Sequence, residues 1–338
     1  MSANRILVTG GTGFVASYVI QSALARNFQV RTTVRSPART AELRRTVGDG
    51  SIEVVTADLT EDAGWDAAVQ GCRYVLHIAS PFPGTRPANE NDLVVPARDG
   101  TLRVLRAARD AGVHRVVMTS SFGAVGYGEQ PLDRPFTEQD WTDPDAPGID
   151  PYIKSKTVAE RAAWDFVERT DGGMELVVLN PTGIFGPVLS SDPPSSVGII
   201  QAMLSGRMPR VPDLWVSPVD VRDLADLQMA AMLTPEAAGH RYLAASGDLL
   251  SLRDIAAILR RRLGADAAKV SIRAMPSTLV RILAPFVPQL RAMVGNLGIR
   301  RPICTDAARE TFGWTPRPAE DTVVDTGRSL VHSSRTGS

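Results

Sequence analysis

The sequence predicts an α/β fold, a doubly wound parallel sheet followed by a less regular C-terminal portion. Short runs rich in Val, Ile or Thr alternate with helical patterns through the first half. The first run ends in a cluster of glycines from which a helical pattern opens directly, and the alternation loosens after Pro181. Parallel strands need crossover connections, and helical crossovers cover both faces of the sheet they join.

The first run spans 5–9 and leads into Gly10-Gly11-Thr12-Gly13-Phe14-Val15-Ala16. Gly11, Gly13 and Ala16 fit the spacing G-x-G-x-x-G/A, while Gly10, Gly13 and Ala16 fit T-G-x-x-G-x-x-G. Glycine permits the tight turn and lets the backbone approach a pyrophosphate seated on the helix N-terminus. Gly10, Thr12, Gly13, Phe14 and Val15 are therefore candidates for a dinucleotide cradle.

The second run, 30–35, ends at Arg35, where NAD-binding turns carry an acid for the ribose 2′-hydroxyl. A guanidinium there, with Arg39 following, clamps a 2′-phosphate that a carboxylate would repel, so the expected cofactor is NADP(H). The third run, 52–57, is followed by Asp58 and Leu59, where a carboxylate can take an adenine amino group. The fourth, 74–79, ends in Ile78, Ala79 and Ser80, small enough to let the backbone lie against a cofactor.

A helical pattern over 93–111 precedes the fifth run, 115–120, and the residues Thr119-Ser120-Ser121. The next helical pattern, 152–170, opens with Tyr152-Ile153-Lys154-Ser155-Lys156. Four residues place Tyr152 and Lys156 on one helical face, one turn apart. A free tyrosine, pKa near ~10, is a poor proton donor at neutral pH, and a nearby ammonium brings it toward the working range. A sixth run spans 175–179. Beyond Pro181 the pattern predicts a loop at 190–196, a short helix at 197–205 and a Pro-rich connector at 209–218. A strand-like piece at 240–245, a capped helix at 251–263 and a disordered tail at 333–338 complete the chain.

The 338 residues, 43% hydrophobic, suffice for one large or two modest domains with real cores. Lys+Arg and Asp+Glu balance at 37 each, which argues against a nucleic-acid partner. Two cysteines, Cys72 and Cys304, suit a reducing cytoplasm, and a first strand by residue 5 leaves no room for a signal peptide. The most apolar stretch, 279–290, contains Arg281, Pro285 and Pro288 and is too short to span a membrane. His77, His114, His240 and His332 lack the spacing of a metal site, and no metal is expected. His77 reads as a strand histidine tied to neighbouring backbone, and Cys72 as a small core residue.

The pieces VTGGTGFVAS, TTVRSP, TADLTED, HIASPF, VVMTSS, YIKSKTVAERAAW, LNPTGIFGP, PVDVRDLA and GWTPRP occur in order along nearly the whole chain. Together they resemble the extended short-chain dehydrogenase/reductases, closest to the dihydroflavonol reductase, cinnamoyl-CoA reductase and microbial aldehyde/ketone reductase branch. The resemblance implies a Rossmann domain of residues 1–182 plus about 216–246 and a substrate-binding lobe of 183–215 plus 247–332. It implies a catalytic set of Ser121, Tyr152 and Lys156, with Tyr152 the proton donor and Lys156 also holding the nicotinamide ribose. It adds Ser120, Pro181, Ile184 and Ser195 to the cofactor contacts, the Asn180-Pro181-Thr182 piece lying beside the nicotinamide. The segment Arg98-Asp99-Gly100-Thr101 lacks the asparagine that some relatives use in a proton relay.

Phe82, Phe122, Phe185 and Trp215 stand beyond strand ends or in the connector and are candidates for the substrate pocket, with Arg207 and Arg210 as nearby cations. The expected function is NADPH-dependent reduction of an aldehyde or ketone to a chiral alcohol, by a monomer or homodimer acting on a small-molecule carbonyl compound. Two alternatives stand beside it: a nucleotide-sugar epimerase or dehydratase with bound NAD, and a non-catalytic NADP sensor. Arg35 and the apolar pocket candidates weigh against the first, and the surviving serine, tyrosine and lysine against the second.

Overall fold

A computed structural model describes residues 4–48, 50–81, 87, 89–128, 132–170, 173–189 and 195–336 of the chain. The regular alternation comprises β1 (Arg5–Val8), α1 (Phe14–Ala25), β2 (Gln29–Val34), α2 (Thr40–Val47), β3 (Ile52–Thr56) and α3 (Trp65–Val69). It continues with β4 (Tyr74–His77), α4 (Asn91–Asp110), β5 (Arg115–Thr119), α5 (Pro151–Glu168) and β6 (Glu175–Pro181). Short elements follow: β7 (Gly183–Phe185), α6 (Gly198–Leu204), β8 (Val211–Pro212), β9 (Trp215–Val216) and β10 (Pro218–Asp220). Then come α7 (Val221–Leu233), β11 (Arg241–Ala244), β12 (Leu250–Ser251), α8 (Leu252–Leu263) and β13 (Ala274–Met275). Four helices close the chain: α9 (Ser277–Leu283), α10 (Pro288–Val294), α11 (Asp306–Phe312) and α12 (Ala319–Thr336).

Seven strands form one sheet in the order β11-β6-β5-β4-β1-β2-β3. Each pairs in parallel with its neighbours, as in Ile6 with Val30 on one side and with Tyr74 on the other. The period-2 geometry of a strand sends alternate side chains to opposite faces. Ile6 and Val8 accordingly join a core with Val19 and Ile20 of α1 and Leu224 and Leu227 of α7. Leu7, between them, joins the opposite core with Trp65, Val104, Leu105 and Ala163 from α3, α4 and α5. The winding reverses between β1 and β4, and such a switch point opens a crevice beyond the carboxyl ends of the strands.

A third core lies outside the sheet, where Phe185, Val197, Ile200, Ile255, Leu259, Val323 and Val324 meet. It is built by β7, α6, α8 and α12, the elements among which the βα rhythm is lost. Helix α12 continues to Thr336, so residues 333–336, expected in a disordered tail, are helical. The Ser333 hydroxyl donates to the Ser329 carbonyl at 3.0 Å, and Arg335 pairs with Asp266 at 2.5 Å. These contacts extend the helix one turn beyond its last apolar residue, and residues 337–338 lie outside the described residues. No helix among the described residues is long and apolar enough to cross a membrane.

Candidate active site

The glycine turn joins β1 to α1 at the switch point. Gly10 has φ +72, and a Cβ there would lie 3.1 Å from the Ala79 Cβ. Its amide donates to the Thr33 hydroxyl at 2.9 Å. Gly11 packs against β2, where a Cβ would meet Thr32 Oγ1 at 2.4 Å. Gly13 is the N-cap of α1 and offers no side-chain cap, which leaves the first amides of that helix, including Phe14 and Val15, for a ligand. Gly10 and Gly13 thus shape the open side of the turn and Gly11 its inner packing, so both glycine spacings describe the same loop.

Arg35 stands exposed just past β2 and forms no hydrogen bond or ion pair among the described residues. Arg39 is held by Glu42 through two contacts, at 3.0 and 2.8 Å. Asp58 accepts from the Thr60 amide at 2.9 Å and hydroxyl at 2.8 Å. The Thr60 amide chiefly holds its pKa below the ordinary value, and the Arg35 charge adds to this. Leu59 is half-buried, with its carbonyl accepting from Arg103 at 2.9 Å. Ser80 is half-buried beyond β4.

The amides of Ile78 and Ala79 donate to the Thr9 hydroxyl at 3.0 and 2.9 Å. With both acceptor sites of Thr9 Oγ1 filled, its proton goes to His77 Nδ1 at 3.1 Å. His77 is therefore tied to a threonine side chain rather than to neighbouring backbone. This contact fixes the tautomer with hydrogen on Nε2. Burial, helped by the Lys156 charge, pushes its pKa down to about 3, so it stays neutral.

Ser121 follows β5, and its oxygen accepts from the Gly123 amide at 3.0 Å. Its side chain also hydrogen-bonds that of Tyr152. Tyr152 sits in the first turn of α5, where its amide donates to the capping carboxylate of Asp150 at 2.9 Å. Lys156 lies one turn further on, with Nζ 5.9 Å from the Tyr152 ring centroid. Burial raises the Tyr152 pKa, and the Ser121 hydrogen bond opposes it. The expected lowering by the ammonium is overridden here, because both groups lose water on entering the protein. The same burial pushes Lys156 down to about 8 against the opposing pull of Glu160.

Glu160 was absent from the sequence reading, although it falls one turn after Lys156 on the same helix face. It is fully buried, accepting from Ser120 Oγ at 2.5 Å and Asn180 Nδ2 at 2.7 Å. Arg241 pairs with it at 2.8 Å while stacking on Trp141 at 3.7 Å. Ser120, expected among the cofactor contacts, has its hydroxyl engaged by Glu160.

A cavity of 360 Å³ opens against these groups, lined by Ser121, Phe122, Tyr152, Pro181, Trp215 and Arg301 among others. Phe122 packs edge-on against Tyr127 and Phe136 at 5.9 and 5.7 Å. Trp215 donates to Asp213 at 2.9 Å. Phe185, expected in this pocket, is instead 2% exposed within the third core, because β7 turns its ring toward α6 and α12. Ile184 of β7 packs against the first core. Phe82 and the side chain of Ser195 lie outside the described residues. Arg207 and Arg210 are exposed and contact Ser205 Oγ and the Ala274 carbonyl, away from the cavity. Among the described residues the cation lining the cavity is Arg301, which carried no signal in the sequence. A larger cavity, 810 Å³, lies beside the edge strand β11 and contains neither Tyr152 nor Ser121. No cluster of His, Cys, Asp and Glu able to hold a metal occurs among the described residues.

Comparison with known proteins adds a family and relatives. A model of the NAD dependent epimerase/dehydratase family matches residues 6–245. Dihydroflavonol 4-reductase of Zea mays is 34% identical over 270 residues, 76% of this chain and 74% of that protein. Cinnamoyl-CoA reductase 1 of Petunia hybrida is 36% identical over 269 residues, 77% of this chain and 78% of that protein. Among solved structures, Gre2 of Candida albicans in complex with NADPH superposes with a TM-score of 0.80 at 26% identity, covering 97% of this chain and 99% of that one.

Proposed function

The chain belongs to the NAD dependent epimerase/dehydratase family, the extended short-chain dehydrogenase/reductases, and we propose that it is an NADPH-dependent carbonyl reductase producing an alcohol. The observation that carries this is the convergence of Ser121 and Tyr152 on one cavity, with Lys156 behind the tyrosine. Relatives named as dihydroflavonol and cinnamoyl-CoA reductases support the same chemistry.

The residues present fit the cofactor. The turn at Gly10 and Gly13 with the free amides of Phe14 and Val15 suits the pyrophosphate, and the uncommitted Arg35 suits the 2′-phosphate. NADPH supplies the hydride when bound. Tyr152 donates the phenolic proton to the carbonyl oxygen of the substrate. Ser121, whose oxygen already accepts from Gly123, donates its own proton to the same developing charge. Lys156 stabilises the phenolate left on Tyr152, and the charge of Glu160 favours the protonated form of that lysine. The neutral state of His77 and the engagement of its Nδ1 by Thr9 weigh against it as the acid. The two free cysteines, Cys72 and Cys304, support a reducing, cytoplasmic location.

The test is NADPH consumption against a panel of aldehydes, ketoesters and aryl ketones by the parent and by Tyr152→Phe. General acid catalysis contributes about 10²–10⁴-fold, so the variant should lose at least roughly a hundredfold with little change in cofactor affinity. Binding of a uridine diphosphate sugar without any carbonyl-dependent NADPH oxidation would instead establish the epimerase reading.

A further inference from the structure

We propose that Arg301 makes this site selective for carbonyl substrates that also carry a carboxylate. The inference rests on the carbonyl reductase reading and names the substrate class within it. Arg301 lines the same cavity as Ser121 and Tyr152. Its guanidinium stacks on the Tyr127 ring at 4.2 Å and forms no hydrogen bond or ion pair among the described residues.

That isolation sets it apart from the other substantially buried arginines. Arg31 meets Glu53, Arg115 meets Glu175, Arg222 meets Asp220, and Arg241 meets Glu160. Burying an unpaired charge is costly, and a protein normally supplies a counter-ion. Burial indeed lowers the Arg301 pKa, with only Tyr127 opposing it. The other charged residue lining the cavity among the described residues, Asp150, serves as the cap of α5.

Stacking through its face leaves the edge donors of a guanidinium uncommitted, and that edge matches a carboxylate through two parallel hydrogen bonds. Trp215, on another wall of the cavity, carries Arg300 over its ring at 4.0 Å, which adds to the positive field. Phe122 and Trp215 add aromatic surface to the lining of the same cavity. A volume of 360 Å³ suits an aryl or short-chain oxo acid, with its carbonyl at Tyr152 and its carboxylate at Arg301.

The test compares 4-oxo-4-phenylbutanoate with its methyl ester, alongside neutral aldehydes and aryl ketones, by kcat/KM with NADPH. The parent should favour the acid over the ester by roughly ten- to a hundredfold, the range of a charge-assisted pair. Arg301→Met should bring that ratio to about one, and Arg301→Lys should keep part of it because charge survives without the fork. A parent that reduces the ester as well as the acid, or reduces only neutral compounds, overturns the inference and leaves the reductase reading standing. So does an Arg301→Met variant that keeps the acid preference. If no compound of the set consumes NADPH, the reductase reading itself fails.

Discussion

An ammonium stripped of water holds its proton less firmly, and Lys156 is the residue where this matters most. Its pKa is pushed down to about 8 by burial, against the raising effect of Glu160. The groups facing it are Tyr152 and Glu160 on its own helix and neutral His77 from β4. Below that pKa the ammonium is charged and can stabilise the phenolate; above it the support is lost. The kcat/KM for reduction should therefore hold through neutral pH and fall as pH rises past about 8. Replacing Glu160 by Gln keeps a hydrogen-bonding group but removes the charge, so the falling limb should move to lower pH. An unmoved limb in Glu160→Gln would reduce Glu160 to a packing role. A second prediction concerns Arg35, which is free where Arg39 is held by Glu42. Arg35→Ala should weaken NADPH binding by about ten- to a hundredfold and NADH binding far less. Equal losses for both cofactors, measured by fluorescence titration, would count against a 2′-phosphate contact.

Helix starts position the chemistry at the scale of elements. Asp150 caps α5 and thereby fixes the turn that carries Tyr152. Asp220 does the same for α7, accepting from the Arg222 amide at 2.9 Å, and its carboxylate also pairs with the Arg222 side chain at 2.7 Å. That guanidinium reaches on to Asp325 of α12 at 2.8 Å, so one buried carboxylate organises two helices. Asp220→Ala should cost about 1–3 kcal/mol, the loss of a cap plus a charge-assisted bond. Urea unfolding should show a lower midpoint with an unchanged slope, and Asp220→Asn, which can still cap, should lose less. A midpoint equal to the parent's in Asp220→Ala would show that water replaces the carboxylate there.

At the scale of the whole molecule, two motifs far apart in the chain prove to be one structural joint. Trp314 donates to the Asp223 carbonyl at 3.1 Å, and the Arg317 amide donates to the Asp223 carboxylate at 2.7 Å. The GWTPRP piece is thereby fastened to PVDVRDLA and so to α7 and the sheet. Helix α12 then pins the segment after β7, where the Gly186 amide donates to Thr326 Oγ1 at 2.7 Å and the Val188 amide to Ser329 Oγ at 3.0 Å. These joints bring the chain around the cavity, whose lining runs from Ser121 through Trp215 to Arg301. The division into a cofactor domain and a substrate lobe remains a proposal, supported by the third core standing apart from the two that flank the sheet.

The sequence by itself determined the parallel sheet, the glycine turn and the tyrosine–lysine pair, because each rests on local chemistry. Strand periodicity sorts Ile6 and Val8 from Leu7, a turn at φ +72 favours glycine at position 10, and four residues make one helical turn. Tertiary structure alone decided the surroundings of those residues. Burial raised the Tyr152 pKa where a neighbouring ammonium had been expected to lower it, because desolvation depends on everything packed around a group. Glu160 was within reach of the sequence by its spacing, but its partners Ser120, Asn180 and Arg241 come from three different strand regions. Phe185 and Arg301 exchanged expectations for the same reason. A short strand turned Phe185 into a core, while the fold carried Arg301, 149 positions from Tyr152 by the difference of their numbers, to the wall of the same cavity.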